Sequence, residues 1–281
     1  MASPAVEWSF LTRRSISTYP SNSVQELNSE YLERLLPIPI VPDSVTDADW
    51  VLITHDHIDH CDPHTLPKIA KASPKAQFIG PSSVLDNLEK WGVDASRLHQ
   101  ARVDEWLPLG IGLRVIAIPA AHPEFALDSQ GRDLFVGYLL EHGKKTIYHA
   151  GDTSLKQEII DNIKQHGSVH VAFLPVNEQN FFRQQRGIIG NMSVREAFGF
   201  AEEIGAKEVI PVHWDMFAVN WATPKEIRAV YRRHQPKFDL MLCPTSINLS
   251  KIRVSVVIRT LNEVKYLEEL LMAKESTRSY F

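Results

Sequence analysis

The sequence predicts an α/β protein whose sheets are covered by helices. Short apolar runs rich in β-branched residues, such as "DWVLIT" at 49–54, predict buried strands. Two helix starts lie in the second half of the chain: Ser193 is followed by Glu196 in a capping-box pattern, and Thr223 precedes Pro224. Strands with few helices come first and alternating helices and strands follow, which favours helices packed on sheets.

The elements can be justified in chain order. After the strand at 49–54 we expect helices around 63–72 and 82–91, separated by the short strand "QFIG". "GLRVIAIPAAH", "LFVGYLLE", "KTIYHAGD", "VHVAFLPV" and "EVIPVHWD" each have the apolar, β-branched character of a buried strand. Between the last two, a helix is predicted by the spacing of its apolar residues and by the stop at Gly205; its apolar residues are Val194, Ala197, Phe198, Ala201 and Ile204.

One segment does not fit this structural pattern. Residues 54–60 read "THDHIDH", which places three of the 12 histidines and two aspartates in six consecutive positions. Histidine and aspartate favour neither helices nor strands, so local structure does not explain the cluster. A ligand that these side chains bind together explains it better.

Four separate apolar strands, including the one before "THDHIDH", end in a residue that can bind metal. His55 follows "VLIT", His122 follows "VIAIPAA", Asp152 follows "TIYHAG" and His213 follows "VIPV". Side chains at strand ends can converge on one edge of a sheet, where α/β proteins place their sites. A lone histidine there is more often solvated, but H-x-H-x-D-H is far more specific. The combined set suits two metal ions; its members are His55, His57, Asp59, His60, His122, Asp152 and His213.

We predict structural rather than metal-binding roles for the other histidines and for the cysteine beside the cluster. His149 lies inside a predicted strand, and His142 and His166 lie beside glycines in predicted turns. Cys61 follows His60 and is predicted to be a buried, small apolar residue rather than a ligand.

The motifs "THDHIDH", "AAHP", "HAGDT" and "PVHWD", in that order, resemble the metallo-β-lactamase superfamily. "FIGPSSVLDNLEKWGV" and "GNMSVREAFGFAEEIGAKEVIPVHWD" resemble its ascorbate-6-phosphate lactonase branch more closely. The resemblance implies an αββα sandwich with a metal site along one edge of the two sheets. It also implies how the seven residues divide: His55, His57 and His122 at a first metal, Asp59, His60 and His213 at a second, and Asp152 bridging both.

The resemblance further implies a metal-dependent hydrolase that opens a lactone of a small, phosphorylated or anionic substrate by a metal-bound hydroxide. Asp59 would orient the attacking water. One or two divalent ions are expected, and zinc or manganese suits the ligands best. Phosphodiester cleavage at the same site and a non-catalytic, metal-binding remnant remain alternatives.

A polar loop before the capped helix is the part of such a fold expected to face substrate. Asn177, Glu178, Asn180 and Arg186 are the predicted substrate-binding residues, and Arg183 lies in the same loop. Arg186 would grip a phosphate through two parallel hydrogen bonds. A solvated loop arginine is an equally good interpretation of Arg186.

The two ends of the chain depart from this family. Its members open with two glycine-containing strands and an Asp-Pro-Tyr stretch, whereas Ser17 and Thr18 occupy the Asp-Pro positions here, so we predict that the first N-terminal hairpin is missing. Residues 254–273 resemble the opening strand and helix of family 2 glycosyltransferases. We therefore expect a metallo-hydrolase domain at 1–250 and a strand–helix appendage at 251–281.

Composition limits the partners and the compartment. The formal net charge is −4 and there is no long basic run, which argues against nucleic acid or an anionic membrane as the partner. No apolar run approaches a membrane span, and the first residues do not resemble a secretory signal. Two cysteines are too few for a disulfide scaffold, so a reducing cytoplasm is expected. Association into a homo-oligomer is left open.

Overall fold

The structure is a computed structural model that describes residues 41–103, 105–110, 112–215, 217 and 222–242. Two predictions lie outside the described residues. One is the absence of the first hairpin, and the other is the appendage at 251–281 with its glycosyltransferase resemblance. Both stay predictions.

The first sheet is small and parallel. Its elements are β1 (Trp50–Leu52), α1 (Leu66–Ala72), β2 (Gln77–Gly80), α2 (Ser82–Lys90) and β3 (Leu98–Gln100). The strands pair in the order β1-β2-β3, with Val51 opposite Phe78 and Ile79 opposite His99. Parallel neighbours need a crossover connection, and α1 fills that role between β1 and β2.

The second sheet has seven strands within the described residues. They are β4 (Leu107–Gly110), β5 (Leu113–Pro119), β6 (Val136–His142), β7 (Lys145–His149), β8 (Val171–Pro175), β9 (Glu208–Val212) and β10 (Asp239–Leu240). Their spatial order is β10-β9-β8-β7-β6-β5-β4. Neighbours from β4 to β7 are antiparallel, and neighbours from β7 to β10 are parallel.

Four helices accompany the larger sheet: α3 (Gln157–Lys164), α4 (Phe181–Gln184), α5 (Val194–Glu203) and α6 (Pro224–His234). The predicted capping box is confirmed, because the Ser193 hydroxyl accepts from the Glu196 amide and the Glu196 carboxylate accepts from the Ser193 amide. The prediction for α6 is confirmed too, since the Thr223 hydroxyl accepts from the Glu226 amide at 3.0 Å.

Three apolar layers show how the sheets and helices stack. Ile69 and Leu88 of the first two helices pack with Phe78 on the outer face of the small sheet. Leu52 and Ile79 pack between the sheets against larger-sheet residues, and α3, α5 and α6 cover the far face of the larger sheet. The predicted order of helix, sheet, sheet and helix is therefore confirmed.

The two sheets are also joined by a buried polar contact close to the end of β1. The Tyr138 hydroxyl of β6 donates to the Ile53 carbonyl at 2.8 Å, and Tyr138 is only 1% exposed. The Val136 amide at the start of β6 donates to the Thr54 carbonyl at 3.0 Å. A buried carbonyl must be paired to avoid a desolvation penalty, so these contacts hold the segment that leads into "THDHIDH" against the larger sheet.

Candidate metal centre

The larger sheet brings three of the predicted residues to one edge. His122, Asp152 and His213 follow β5, β7 and β9 by one to three residues. β5 and β7 run in the same direction because both are antiparallel to β6, and β9 is parallel to them through β8. Their carboxyl ends therefore share an edge, which is where sites form in such sheets.

His55, His57 and His122 form a first group. The ring centres lie 4.6 Å apart for His55 and His57, 5.1 Å for His57 and His122, and 5.6 Å for His55 and His122. One ring nitrogen from each histidine lies within 4.8 Å of the others. The small sheet thus contributes two imidazoles and the larger sheet one.

His60, Asp152 and His213 form a second group with similarly close ligand atoms. The Nε2 atom of His60 lies 3.2 Å from Asp152 Oδ1, and that of His213 lies 2.9 Å from Asp152 Oδ2. The same carboxylate reaches toward the first group, since Asp152 Oδ2 is 3.8 Å from His122 Nε2. Asp152 therefore lies between the two groups.

Asp59 lies on a turn at the open side of this cluster. The amides of His60 and Cys61 both donate to the His57 carbonyl, which forms a turn after His57. The carboxylate of Asp59 is 3.9 Å from His60 Nε2 and 3.8 Å from His213 Nε2. Its side chain is 22% exposed, against 5% for His60, so it is reachable from solvent. All seven predicted side chains thus lie in one connected cluster.

Burial and neighbouring charges shift the pKa values of three residues in this cluster. Burial, followed by the charge of His60, holds the pKa of His55 well below its usual range. Burial also lowers the pKa of His122 to about 4, although Asp152 acts in the opposite direction. Burial raises the pKa of Asp152, but the charges and hydrogen bonds of His213 and His60 outweigh it, so the net shift is well below the ordinary value.

These protonation states fit a divalent cation. Neutral imidazoles and an ionised carboxylate are the forms that bind metal. Within the described residues, His55 Nε2 is buried and has no hydrogen-bond partner, which is costly unless something occupies the site. His213 has a φ of 61°, in the left-handed region that residues other than glycine seldom adopt. The donor set and the buried nitrogen therefore suit the metal that the sequence predicts.

Two residues beside the cluster were not singled out from the sequence. The Phe135 ring centre lies 5.3 Å from that of His55, 5.6 Å from His57 and 5.5 Å from His122, so it packs against the whole first group. His149, interpreted as a strand residue, is 2% exposed, and its Nδ1 accepts from the Gly151 amide at 3.0 Å. No sequence pattern marks Phe135 as a neighbour of the cluster. His149 could have been suspected, because it begins the motif "HAGD" that ends in Asp152.

His149 provides a pH test that is separate from the predicted ligands. Burial, followed by the charge of His60, lowers the pKa of His149 to about 3, whereas an unfolded histidine titrates near ~6.5. Stability from this group is full above ~6.5 and is lost as the pH falls, because only the unfolded chain takes up the proton. We expect His149 to contribute a loss of about 1.4 kcal/mol per pH unit well below ~6.5. Denaturant unfolding of the metal-free protein measures the total dependence, to which His55 and His122 also contribute.

The matched variant is His149→Asn, whose amide oxygen can still accept from the Gly151 amide. It is expected to lower stability at neutral pH, because it leaves a cavity, and to make the acid dependence less steep. His55 and His122 keep a part of the dependence. The same slope in both proteins would show that His149 is not the buried neutral group described here.

The predicted substrate loop has a different arrangement from the one expected. Arg186 is exposed and its Nη1 donates to the Phe182 carbonyl at 3.3 Å. Arg183 is buried instead, and its Nη1 donates to the carbonyls of Asn177 and Glu178. Burial lowers the pKa of Arg183, while the negative charges of Glu178 and Asp152 act in the opposite direction.

The other loop residues make local contacts. The Asn177 side chain is buried and its Oδ1 accepts from Asn191 Nδ2 at 3.0 Å. The Asn180 side chain accepts from the Arg183 amide and caps α4. Glu178 is exposed. Substrate contact by Asn177, Glu178, Asn180 and Arg186 stays a prediction, and the sequence offered no signal that Arg183 rather than Arg186 points inward.

Comparison with known families explains the cluster. Residues 16–214 match the family described as "Beta-lactamase superfamily domain". The matched range contains all seven predicted metal ligands. The chain belongs to the metallo-β-lactamase superfamily. The resemblance found in the motifs is therefore confirmed, and with it the fold class.

Curated relatives of this superfamily member include proteins named as probable L-ascorbate-6-phosphate lactonase UlaG. Those of Salmonella choleraesuis and Escherichia fergusonii are each 27% identical over 210 residues, covering 70% of this chain and 58% of the relative. The chain thus spans a little over half the length of these relatives.

Solved structures agree on the fold. Igni18, a metallo hydrolase from the archaeon Ignicoccus hospitalis, gives a TM-score of 0.54 at 22% identity and covers 69% of this chain and 75% of that one. An isothiocyanate hydrolase from Delia radicum gut bacteria gives 0.60 at 16% identity, covering 83% and 87%. Among the residues that the structure describes, no helix is both long and apolar enough to cross a bilayer.

Proposed function

We propose that this chain is a metal-dependent hydrolase that opens the lactone ring of a small, anionic substrate. The observation that carries the proposal is the connected cluster at one sheet edge, in which five histidines lie around an ionised carboxylate. His55 and His122 are neutral at pH 7 because burial lowers the pKa of each, and Asp152 is ionised. Such a set has little structural purpose without a cation.

Two positions would hold the cations. The first lies among His55, His57 and His122, and the second lies beside His60 and His213, with Asp152 between them and Asp59 at the second. Zinc suits five histidines, and the two aspartates are also compatible with manganese. Divalent ions bound there would lower the pKa of a bound water and polarise a lactone carbonyl.

Asp59 is the residue that we expect to handle the proton. It is the most exposed of the acidic members, and both of its oxygens face the second group. A carboxylate oxygen of Asp59 accepts a proton from the attacking water as the water adds to the carbonyl carbon. The proton then passes to the ring oxygen as the carbon–oxygen bond breaks, which leaves a hydroxy acid.

Two observations support a lactone substrate that carries negative charge. The 27% identical relatives are named as lactonases of a phosphorylated substrate. Arg183, whose charge interacts with that of Asp152, places a buried cation near the cluster. A small-molecule substrate rather than nucleic acid or membrane, and a cytoplasmic location, belong to the same proposal because they rest on charge and cysteine content.

Turnover by the purified, metal-loaded chain tests the proposal. The panel contains phosphorylated sugar lactones, their unphosphorylated forms and a model phosphodiester. We expect hydrolysis of the phosphorylated lactones and a fall in kcat of about 10²–10⁴-fold in Asp59→Asn, as expected when a proton-transfer group is lost. Asp161→Asn, an exposed carboxylate on α3, is the matched control.

Two results would contradict lactone opening. Cleavage of the phosphodiester alone would indicate phosphodiesterase chemistry at the same cluster. A full complement of metal with no turnover on any member of the panel would favour a non-catalytic remnant.

A further inference from the structure

We propose that Thr54 is a positioning residue whose single hydroxyl orients one histidine of each metal position. The inference rests on the proposed metal centre, but it concerns a residue that is not itself a ligand. Thr54 directly precedes His55 and is 4% exposed. It would link the geometry of the two positions to each other.

The contacts that carry this inference are short and buried. The Oγ1 atom of Thr54 lies 3.0 Å from Nδ1 of His55 and 3.3 Å from Nδ1 of His60. A hydroxyl oxygen has two lone pairs, so it can accept from both imidazole N–H groups at once. The two rings are held beside each other, with centres 4.1 Å apart.

The opposite nitrogens of these rings face the cluster. His60 Nε2 lies 3.2 Å from Asp152 Oδ1, and His55 Nε2 is buried without a hydrogen-bond partner in the described part of the chain. When Nδ1 of a neutral imidazole carries the proton, the lone pair is on Nε2. Donation of both Nδ1 protons to Thr54 therefore leaves both Nε2 atoms ready to bind a cation. Histidines that bind metal commonly donate their other ring N–H to a nearby acceptor in this way.

The Thr54 side chain is itself held in one orientation. A Cβ atom added to Gly151 would lie 3.0 Å from both Cβ and Cγ2 of Thr54, so the methyl group packs on the backbone just before Asp152. The Thr54 carbonyl accepts from the Val136 amide at 3.0 Å. Threonine is stiff about χ1, so fixing the methyl group also fixes the hydroxyl.

This arrangement makes a selective prediction for two near-isosteric variants. Thr54→Val keeps the shape and removes the hydroxyl, whereas Thr54→Ser keeps the hydroxyl and removes the methyl group. Loss of a group that orients metal ligands commonly costs about 10–100-fold in metal affinity. We expect that loss in Thr54→Val, at both metal positions, and a much smaller loss in Thr54→Ser, which keeps the hydroxyl but lacks the methyl group that fixes it.

The test is competitive titration of the full chain with zinc against a chelator, for the parent and both variants. Two bound zinc ions in the parent, with the expected loss in Thr54→Val and a much smaller loss in Thr54→Ser, would support the inference. Equal affinity in the parent and Thr54→Val would overturn it while leaving the metal centre intact. No zinc bound by the parent would overturn the metal centre, and this inference with it.

A second measurement covers the case in which Thr54→Val does not fold. Long-range proton–nitrogen NMR of the zinc-loaded parent reports which ring nitrogen of each histidine carries the proton. We expect the proton on Nδ1 of both His55 and His60. Zinc on Nδ1 of either ring would overturn the role of Thr54, whatever the activity of the protein.

Discussion

Asp152→Ala is expected to release bound metal and to reduce turnover more than about 100-fold. Substituting a residue that only supports a metal ligand already reduces metal affinity or activity about 10–100-fold, and Asp152 is itself a proposed ligand. Asp152 is 5% exposed, and its two oxygens lie within 3.8 Å of ring nitrogens on His60, His122 and His213. Its charge would offset that of both cations. Metal content of the purified variant, measured with turnover, checks the prediction.

Cys61→Ala is the matched control for this experiment. Cys61 directly follows His60 and is buried, and burial raises the pKa of its thiol to about 12. The thiol therefore stays protonated and is a poor ligand, since the thiolate is the form that binds metal. We expect the alanine variant to retain its metal. Equal metal retention by the two variants would contradict the place of Asp152 in the centre.

Removal of the metal is expected to lower the melting temperature by roughly 8–16 °C, since ligand at about a thousandfold above its Kd contributes about 4 kcal/mol. The physical reason is that a cation binds only the folded cluster and provides a partner for buried ligand atoms that otherwise have none, such as His55 Nε2. Thermal unfolding with and without a chelator gives the shift, and re-addition of zinc or manganese should restore it.

Asp152→Ala provides the reference for this shift, because the chelator should have little effect on a protein that holds no metal. A parent protein whose melting temperature does not change with the chelator or with added metal would show that the cluster binds no cation that matters to stability.

Much of the centre could be predicted from the sequence because its signals are local. An imidazole or carboxylate directly after a buried strand must lie at the end of that strand, and "THDHIDH" places five such groups in six consecutive positions. The parallel directions of β5, β7 and β9 then bring His122, Asp152 and His213 to the same edge. Strand order, which sequence patterns do not give, comes from the structure.

The substrate loop was harder to predict because its conformation depends on hydrogen bonds between side chains and backbone carbonyls five or six residues away. Arg183 and Arg186 are three residues apart in the same segment, separated by two glutamines. The Asn180 cap starts α4 at Phe181 and turns Arg183 inward, where it meets the carbonyls of Asn177 and Glu178. Spacing alone cannot tell which of two arginines is buried.

Thr54 and His149 show a related limit. Both lie beside predicted ligands, yet alternation along a strand says only which face a side chain occupies. Their roles depend on single hydrogen bonds, from imidazole Nδ1 to the Thr54 hydroxyl and from the Gly151 amide to His149. Such contacts depend on the three-dimensional structure and leave no pattern in the sequence.

Anomalous diffraction from crystals of the metal-loaded protein, recorded on both sides of the absorption edge of the metal, tests the central claim most directly. The account predicts two peaks about 3.5–4 Å apart. One should lie among His55, His57 and His122 and the other beside His60 and His213, with Asp152 touching both. Peaks bound by other residues, or no peak at this edge of the sheet, would contradict it.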